Sequence, residues 1–319
     1  MTNIKKQFLD VLLRDYGIAA ALLVEVLFFS QLSEYFLTAD NILNITLQIS
    51  IIAIIAVGMT FVILTAGIDL SVGAVVAFSG IITTSMLKTQ APFVVAFPLA
   101  MLVGLLVGVL SGGIAGIFIT RFNITPFIVT LALMTIWRGA GYIYTDGRPI
   151  WGLPDEFSFL GSGRIFSIPV PTLIMLIVYS MAYVILSHTR FGRHVYAVGG
   201  NKEAARLAGI NADGVILRVY TICGALSALS GILLASRVNS GQPNAGLAYE
   251  LDVIGAVVIG GTSLFGGRGT IIGTFVGALL IGVLRNGLNL MNVGSYVQSV
   301  VLGVVILLAV LLDQWRKRS

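Results

Sequence analysis

FPLAMLVGLLVGVLSGGIAGIFIT, Phe97–Thr120, runs for 24 residues without a charged side chain. One helical crossing of a bilayer needs roughly 20 predominantly apolar residues, so a run of this length reads as a membrane helix. Lipid offers no partner to backbone N–H and C=O groups, which leaves helices and closed barrels as the spanning structures, and a barrel strand would alternate apolar with polar residues. This stretch does not alternate. Gly104, Gly108, Gly112 and Gly116 recur within it every four residues and draw one smooth helix face, against which another backbone can approach closely. Gly269, Gly273 and Gly277 draw a second such face.

The rest of the chain carries the same signal. Of its 319 residues 57% are hydrophobic and 10% charged, and the mean hydropathy is +0.99. A soluble domain carries about 25% charged residues, so the bilayer is the solvent here. The expected fold is an all-α polytopic bundle of about ten spans, centred near Val24, Ala56, Ala77, Gly108, Leu133, Leu176, Ser227, Val257, Ala278 and Ile306. With the N-terminus inside, thirteen Lys and Arg residues fall on the inner side, from Lys5 and Lys6 to Arg316, Lys317 and Arg318, against Lys88, Arg148, Arg164 and Arg237 outside. That bias places both termini in the cytoplasm, and the net charge of +5 becomes a topological signal rather than a nucleic-acid footprint. Glu25 and Glu34 interrupt the first apolar stretch, and no small-residue cleavage pattern follows it, so it is expected to be a retained helix.

Nothing rich in Pro, Ser or charge divides the chain, and residues 1–319 are read as a single integral domain. Its longest polar connections are an outer loop at about 145–169 and an inner loop at about 188–214. The single Cys223 excludes disulfide frameworks and thiolate metal clusters. His188 and His194, the only histidines, stand in one basic loop without clustered carboxylates, which leaves hydrolytic and metal chemistry without support. No G-x-x-x-x-G-K-[S/T] loop is present. Catalytic residues and bound cofactors are therefore not expected on this chain.

In the inner loop, Asn201 is placed to cap a short helix over Lys202–Ala208, with Glu203 at its positive end and Gly209 to stop it. So short a helix must dock to persist, with its Ala204 and Ala205 face in a partner's groove, on the membrane surface or on its own bundle. Asp69 stands in GIDLSVG, after Gly67 and before Ser71 and Gly73. An ionisable group near mid-bilayer costs at least roughly 2.5 kcal/mol on insertion scales, so Asp69 either caps the next helix near the cytoplasmic edge or belongs to a pathway with Ser71. Glu250 and Asp252 open the eighth span, and Arg285, Asn286 and Asn289 interrupt the ninth. Arg285 can pair with Glu250 or Asp252 if the spans adjoin; alternatively these residues line the solute path or gate. A neutral polar solute needs amide and hydroxyl partners, which favours Asn286 and Asn289 as lining groups.

Glu203, Ala204, Ala205 and Gly209 fit the Glu-Ala-Ala, three residues, Gly pattern of the cytoplasmic coupling loop in ATP-binding-cassette importer permeases. AVGMTFVILTAGIDLSVGAVVAFSG (Ala56–Gly80), HTRFGRHVYAVGGNKEAARLAGIN (His188–Asn211) and YELDVIGAVVIGGTSLFGGRG (Tyr249–Gly269) closely resemble ribose-type monosaccharide permeases, and the likeness covers about Ala39 to Leu312. No Leu-Pro pair follows Gly209, unlike many importers of other types. The resemblance implies a homodimer in the bacterial inner membrane, with ATP and Mg held on a separate ATPase of two chains or one double-domain chain. It also implies a periplasmic or lipid-anchored sugar-binding protein outside. On this reading Arg193, Glu203, Ala204, Ala205, Arg206 and Gly209 transmit ATPase motion, and Arg148, Arg164 and Arg237 dock the binding protein. The competing expectation is an ion-coupled secondary transporter that uses Asp69, Glu250 and Arg285 as a relay.

Overall fold

The structure is a computed structural model that describes the backbone of residues 2–89 and 91–318 and the side chains of 17–89, 91–308 and 311. In chain order the helices are α1 (Thr2–Leu32), α2 (Ala39–Leu64), α3 (Val72–Leu87), α4 (Phe93–Arg121), α5 (Pro126–Thr145), α6 (Asp155–Ser162), α7 (Val170–His188), α8 (Arg190–Gly200), α9 (Lys202–Leu207), α10 (Ala212–Arg237), α11 (Tyr249–Ile259), α12 (Ile271–Leu290) and α13 (Ser295–Arg318). A two-strand hairpin, β1 (Arg164–Ile165) with β2 (Ile168–Pro169), sits between α6 and α7.

Every expected span centre falls in a helix, but the helices are not equal. Among the described residues six of them, α2, α4, α5, α7, α10 and α12, are long and apolar enough to cross a membrane. The third and eighth expected spans are shorter than a full crossing. α3 has 16 residues and α11 has 11, about 24 and 16 Å at 1.5 Å per residue, against a hydrocarbon core of about 30 Å. Irregular backbone at such depth survives only where protein satisfies it, and both flanking segments meet that demand. Before α3, the Ile68 carbonyl accepts from the Thr130 and Tyr220 hydroxyls. After α10, Gly241 exchanges both backbone hydrogen bonds with Ile150, and the Arg138 guanidinium donates to the carbonyls of Pro243 (3.0 Å) and Ala245 (2.6 Å). Gly73, at the start of α3, abuts Gly246, so the 238–248 segment reaches the N-terminus of the short helix.

The core forms around α2 and α10. α2 buries 83% of its apolar window, whereas α4 and α5 bury 22% and leave the remainder for lipid. The glycine face of α4 is its contact with α10: a Cβ on Gly108 would strike the Gly224 carbonyl, and one on Gly112 the Tyr220 carbonyl. Gly273 and Gly277 bring α12 against Gly260 and Ala256 in the same manner. Both faces therefore set close packing, as small residues do where lipid removes the hydrophobic drive for association.

Candidate coupling and translocation sites

The inner loop folds as two helices. Thr189 caps α8 by accepting from the Gly192 N–H at 3.2 Å, and its Val195 and Val198 face is buried while Arg193 is exposed. α8 was not expected from the sequence, although the apolar residues Phe191, Val195 and Val198 at spacings of four and three carry its signal. In α9, the Asn201 side chain accepts from the Ala204 N–H at 2.9 Å, and Gly209 adopts φ +81° just beyond the helix. The Ile210 N–H returns to the Ala205 carbonyl, closing a Schellman-type stop. Arg206 bridges Glu203 (3.2 Å) and Asp213 (2.8 Å), and Lys202 joins Asp213 at 3.1 Å.

One sequence expectation is corrected here. Ala204 is exposed, but Ala205 is 4% exposed and packs on the chain's own core, so the two alanines do not form one outward face. The outward apolar residue is Leu207, 91% exposed. Six residues are too few for periodicity to reveal which side turns inward. Arg193 makes no ion pair among the described residues.

α8 ties this corner to the bundle. The Tyr196 hydroxyl donates to the Gly269 carbonyl at 2.7 Å, and half-burial raises the phenol above its ordinary range, keeping it a donor. Gly199 touches Leu64, the last residue of α2, whose carbonyl also accepts from the Gly267 N–H at 2.9 Å. A displacement of α9 thus reaches α2 and the loop that leads into α12.

Asp69 is buried within the bundle. It is 1% exposed, its Oδ1 accepts from the Ser71 N–H (2.9 Å) and hydroxyl (2.6 Å), and the Cys223 thiol from the middle of α10 also reaches it. Ser71, the cap residue of α3, makes no side-chain cap bond. Asp69 therefore satisfies the N–H of the cap residue at the start of α3, one of the donors that the helix leaves unpaired, and Cys223 has a polar neighbour.

Arg285 pairs with Asp252 at 2.6 Å, with the Asp252 side chain 6% exposed. Glu250 turns instead toward Gly73 and lies within electrostatic reach of Arg138. Asp69, Glu250 and Arg285 thus have three separate sets of partners and form no common relay. Asn286 is buried and exchanges both amide hydrogen bonds with Asn41 (2.9 and 2.8 Å); Asn289 is exposed and accepts from Gln298. Of the cations expected outside, Arg148 is exposed and Arg164 faces Asp40 at 4.0 Å across solvent. Arg237 is not on an outer loop as expected: it ends α10, half-buried, on a cavity shared with Tyr249 and Arg285.

The family described as branched-chain amino acid transport system, permease component, matches residues 41–310. The chain belongs to that family. The permease is 49% identical to the ribose import permease protein of Bacillus subtilis over 100% of this chain and 98% of the relative. It is 48% identical to the ribose import permease protein of Haemophilus influenzae, covering 92% and 91%, and 40% identical to the D-allose transport system permease protein of Escherichia coli K12, covering 97% and 95%. No solved structure matches the permease. Asp69 is hydrogen-bonded and Asp252 is paired with Arg285, both Glu25 oxygens are buried without a hydrogen-bond partner among the described residues, and a small exposed helix leads by way of α8 to α2 and the loop before α12.

Proposed function

We propose that the permease is the translocating subunit of an ATP-binding-cassette importer for ribose or a related monosaccharide. A second copy of itself, a cytoplasmic ATPase that holds ATP and Mg, and an external sugar-binding protein complete the transporter. It sits in the bacterial inner membrane with both termini cytoplasmic. The observation that carries this reading is α9, a capped helix with Leu207 bare to solvent, joined through Tyr196 and Gly199 to α2 and the loop before α12. A passive channel has no use for such a handle; an ATPase needs one. Leu207 is the apolar anchor for the ATPase groove, and Glu203 and Arg206 set its register. The sugar relatives supply the solute class.

Sealed vesicles that contain the permease with its ATPase and binding protein test this. ATP inside should drive ribose uptake that an uncoupler leaves intact. Uptake by the permease alone that collapses with the ion gradient, or uptake of leucine in place of ribose, would overturn it.

A further inference from the structure

Two cavities meet at Tyr249. The outer one, about 260 Å³, lies under the 238–248 segment and is lined by Gln242, Asn244 and Tyr249 among others. The inner one, about 180 Å³, lies among α2, α10, α11 and α12, where Gln48, Arg237, Tyr249 and Arg285 face a wall that includes Ile52 and Ile281.

The polar groups of the inner cavity are unspent. Among the described residues the side chains of Gln48, Arg237 and Tyr249 make no hydrogen bond within the chain, and each is half-buried on the cavity wall. Arg285 is already engaged by Asp252, which leaves Arg237 as the one unpaired charge on this wall among the described residues.

These groups select a chemical class. Gln48 supplies an acceptor and two donors, Tyr249 a hydroxyl that does either, and Arg237 a fan of donors. A polyhydroxylated ring presents both kinds of group at its rim and C–H bonds on its faces, which suits this rim of amide, phenol and guanidinium beside an aliphatic wall and an aromatic ring. An anionic solute would engage Arg237 but leave the neutral donors and acceptors of Gln48 and Tyr249 without the several hydroxyl partners that a polyhydroxylated ring offers. A branched aliphatic side chain would fill the isoleucine wall but leave Gln48 and Arg237 unmet.

We propose that the inner cavity is a monosaccharide subsite within the permease and that Tyr249 is the gate between it and the outer cavity. This deepens the importer reading and rests on it.

Gln48→Cys tests it, because the only native thiol, Cys223, is fully buried. In the complete transporter reconstituted in vesicles, a small charged thiol reagent should modify Gln48→Cys, and ribose should slow that reaction while leucine does not. In parallel, Arg237→Ala and Tyr249→Phe should lower the sugar imported per ATP hydrolysed by up to roughly tenfold, the scale of one net hydrogen bond to the substrate. Leu251→Ala, on the exposed face of the same helix, should leave that ratio unchanged. Ribose-independent labelling, or an unchanged ratio in both variants while the unmodified transporter imports sugar, would refute the subsite. No sugar import by the unmodified transporter would instead remove the importer reading beneath it.

Discussion

The α8–α9 corner and the interior around α3 and α11 are both short-helix structures, yet they persist for opposite reasons. At the corner, each helix end is satisfied by its own neighbours in sequence: Thr189 caps α8, Asn201 caps α9, and Gly209 stops it. In the interior, backbone ends are satisfied by residues far away: Ile68 by Thr130 and Tyr220, and Pro243 and Ala245 by Arg138. Water surrounds the first region and can replace a lost partner. At the buried turn before α3, where Asp69 is 1% exposed, water has no such access, and an unmet polar group keeps its desolvation cost. Interior substitutions that strand a buried partner should therefore destabilise the folded protein, whereas corner substitutions should spare the protein and remove its action.

Arg285→Ala should break this comparison most visibly. It strands Asp252, and the expected loss is about 3 kcal/mol, the low end for a broken buried pair because Arg285 is 38% exposed. Thermal unfolding in detergent measures it, and Arg285→Met with Asp252→Leu should recover most of the loss. Gly209→Val comes next, since a β-branched residue at φ +81° costs about 1–2 kcal/mol. A Cβ there meets nothing within 4 Å, so the protein should still reach the membrane while uptake is abolished. Asp213→Asn removes the exposed bridges to Arg206 and Lys202, worth about 0–1 kcal/mol in all and less at high salt, a shift that melting at two ionic strengths should register. Leu207→Asp should change stability least, by no more than about 0.5 kcal/mol, and still uncouple ATP hydrolysis from uptake in the reconstituted transporter. A large melting shift for Leu207→Asp, or none for Arg285→Ala, would dissolve the distinction between the two regions.

The same distinction explains what could be read from the residues. The limits of α9 were legible because a cap acts over three residues and Gly209 acts alone. The inward turn of Ala205 and the exposure of Leu207 were not, because a helix of six residues has no face until something packs on it. Arg285 had two carboxylates within plausible reach, and the choice of Asp252 follows from the packing of α11 on α12. Arg237 counted as an outer cation because it precedes a polar loop; the return of that loop to Gly73 makes it a cavity wall.

By itself the sequence determined the solvent, the helical class, the glycine faces and the capped helix of the inner loop. Each of these follows from hydrophobicity, residue size or a hydrogen bond spanning a few residues. Tertiary structure alone decided that α3 and α11 stop short, which carboxylate meets Arg285, and that Gln48, Arg237 and Tyr249 share one cavity. The physical reason is that a bilayer requires every buried polar group to find a partner without specifying which, and that choice is made only when distant segments pack together.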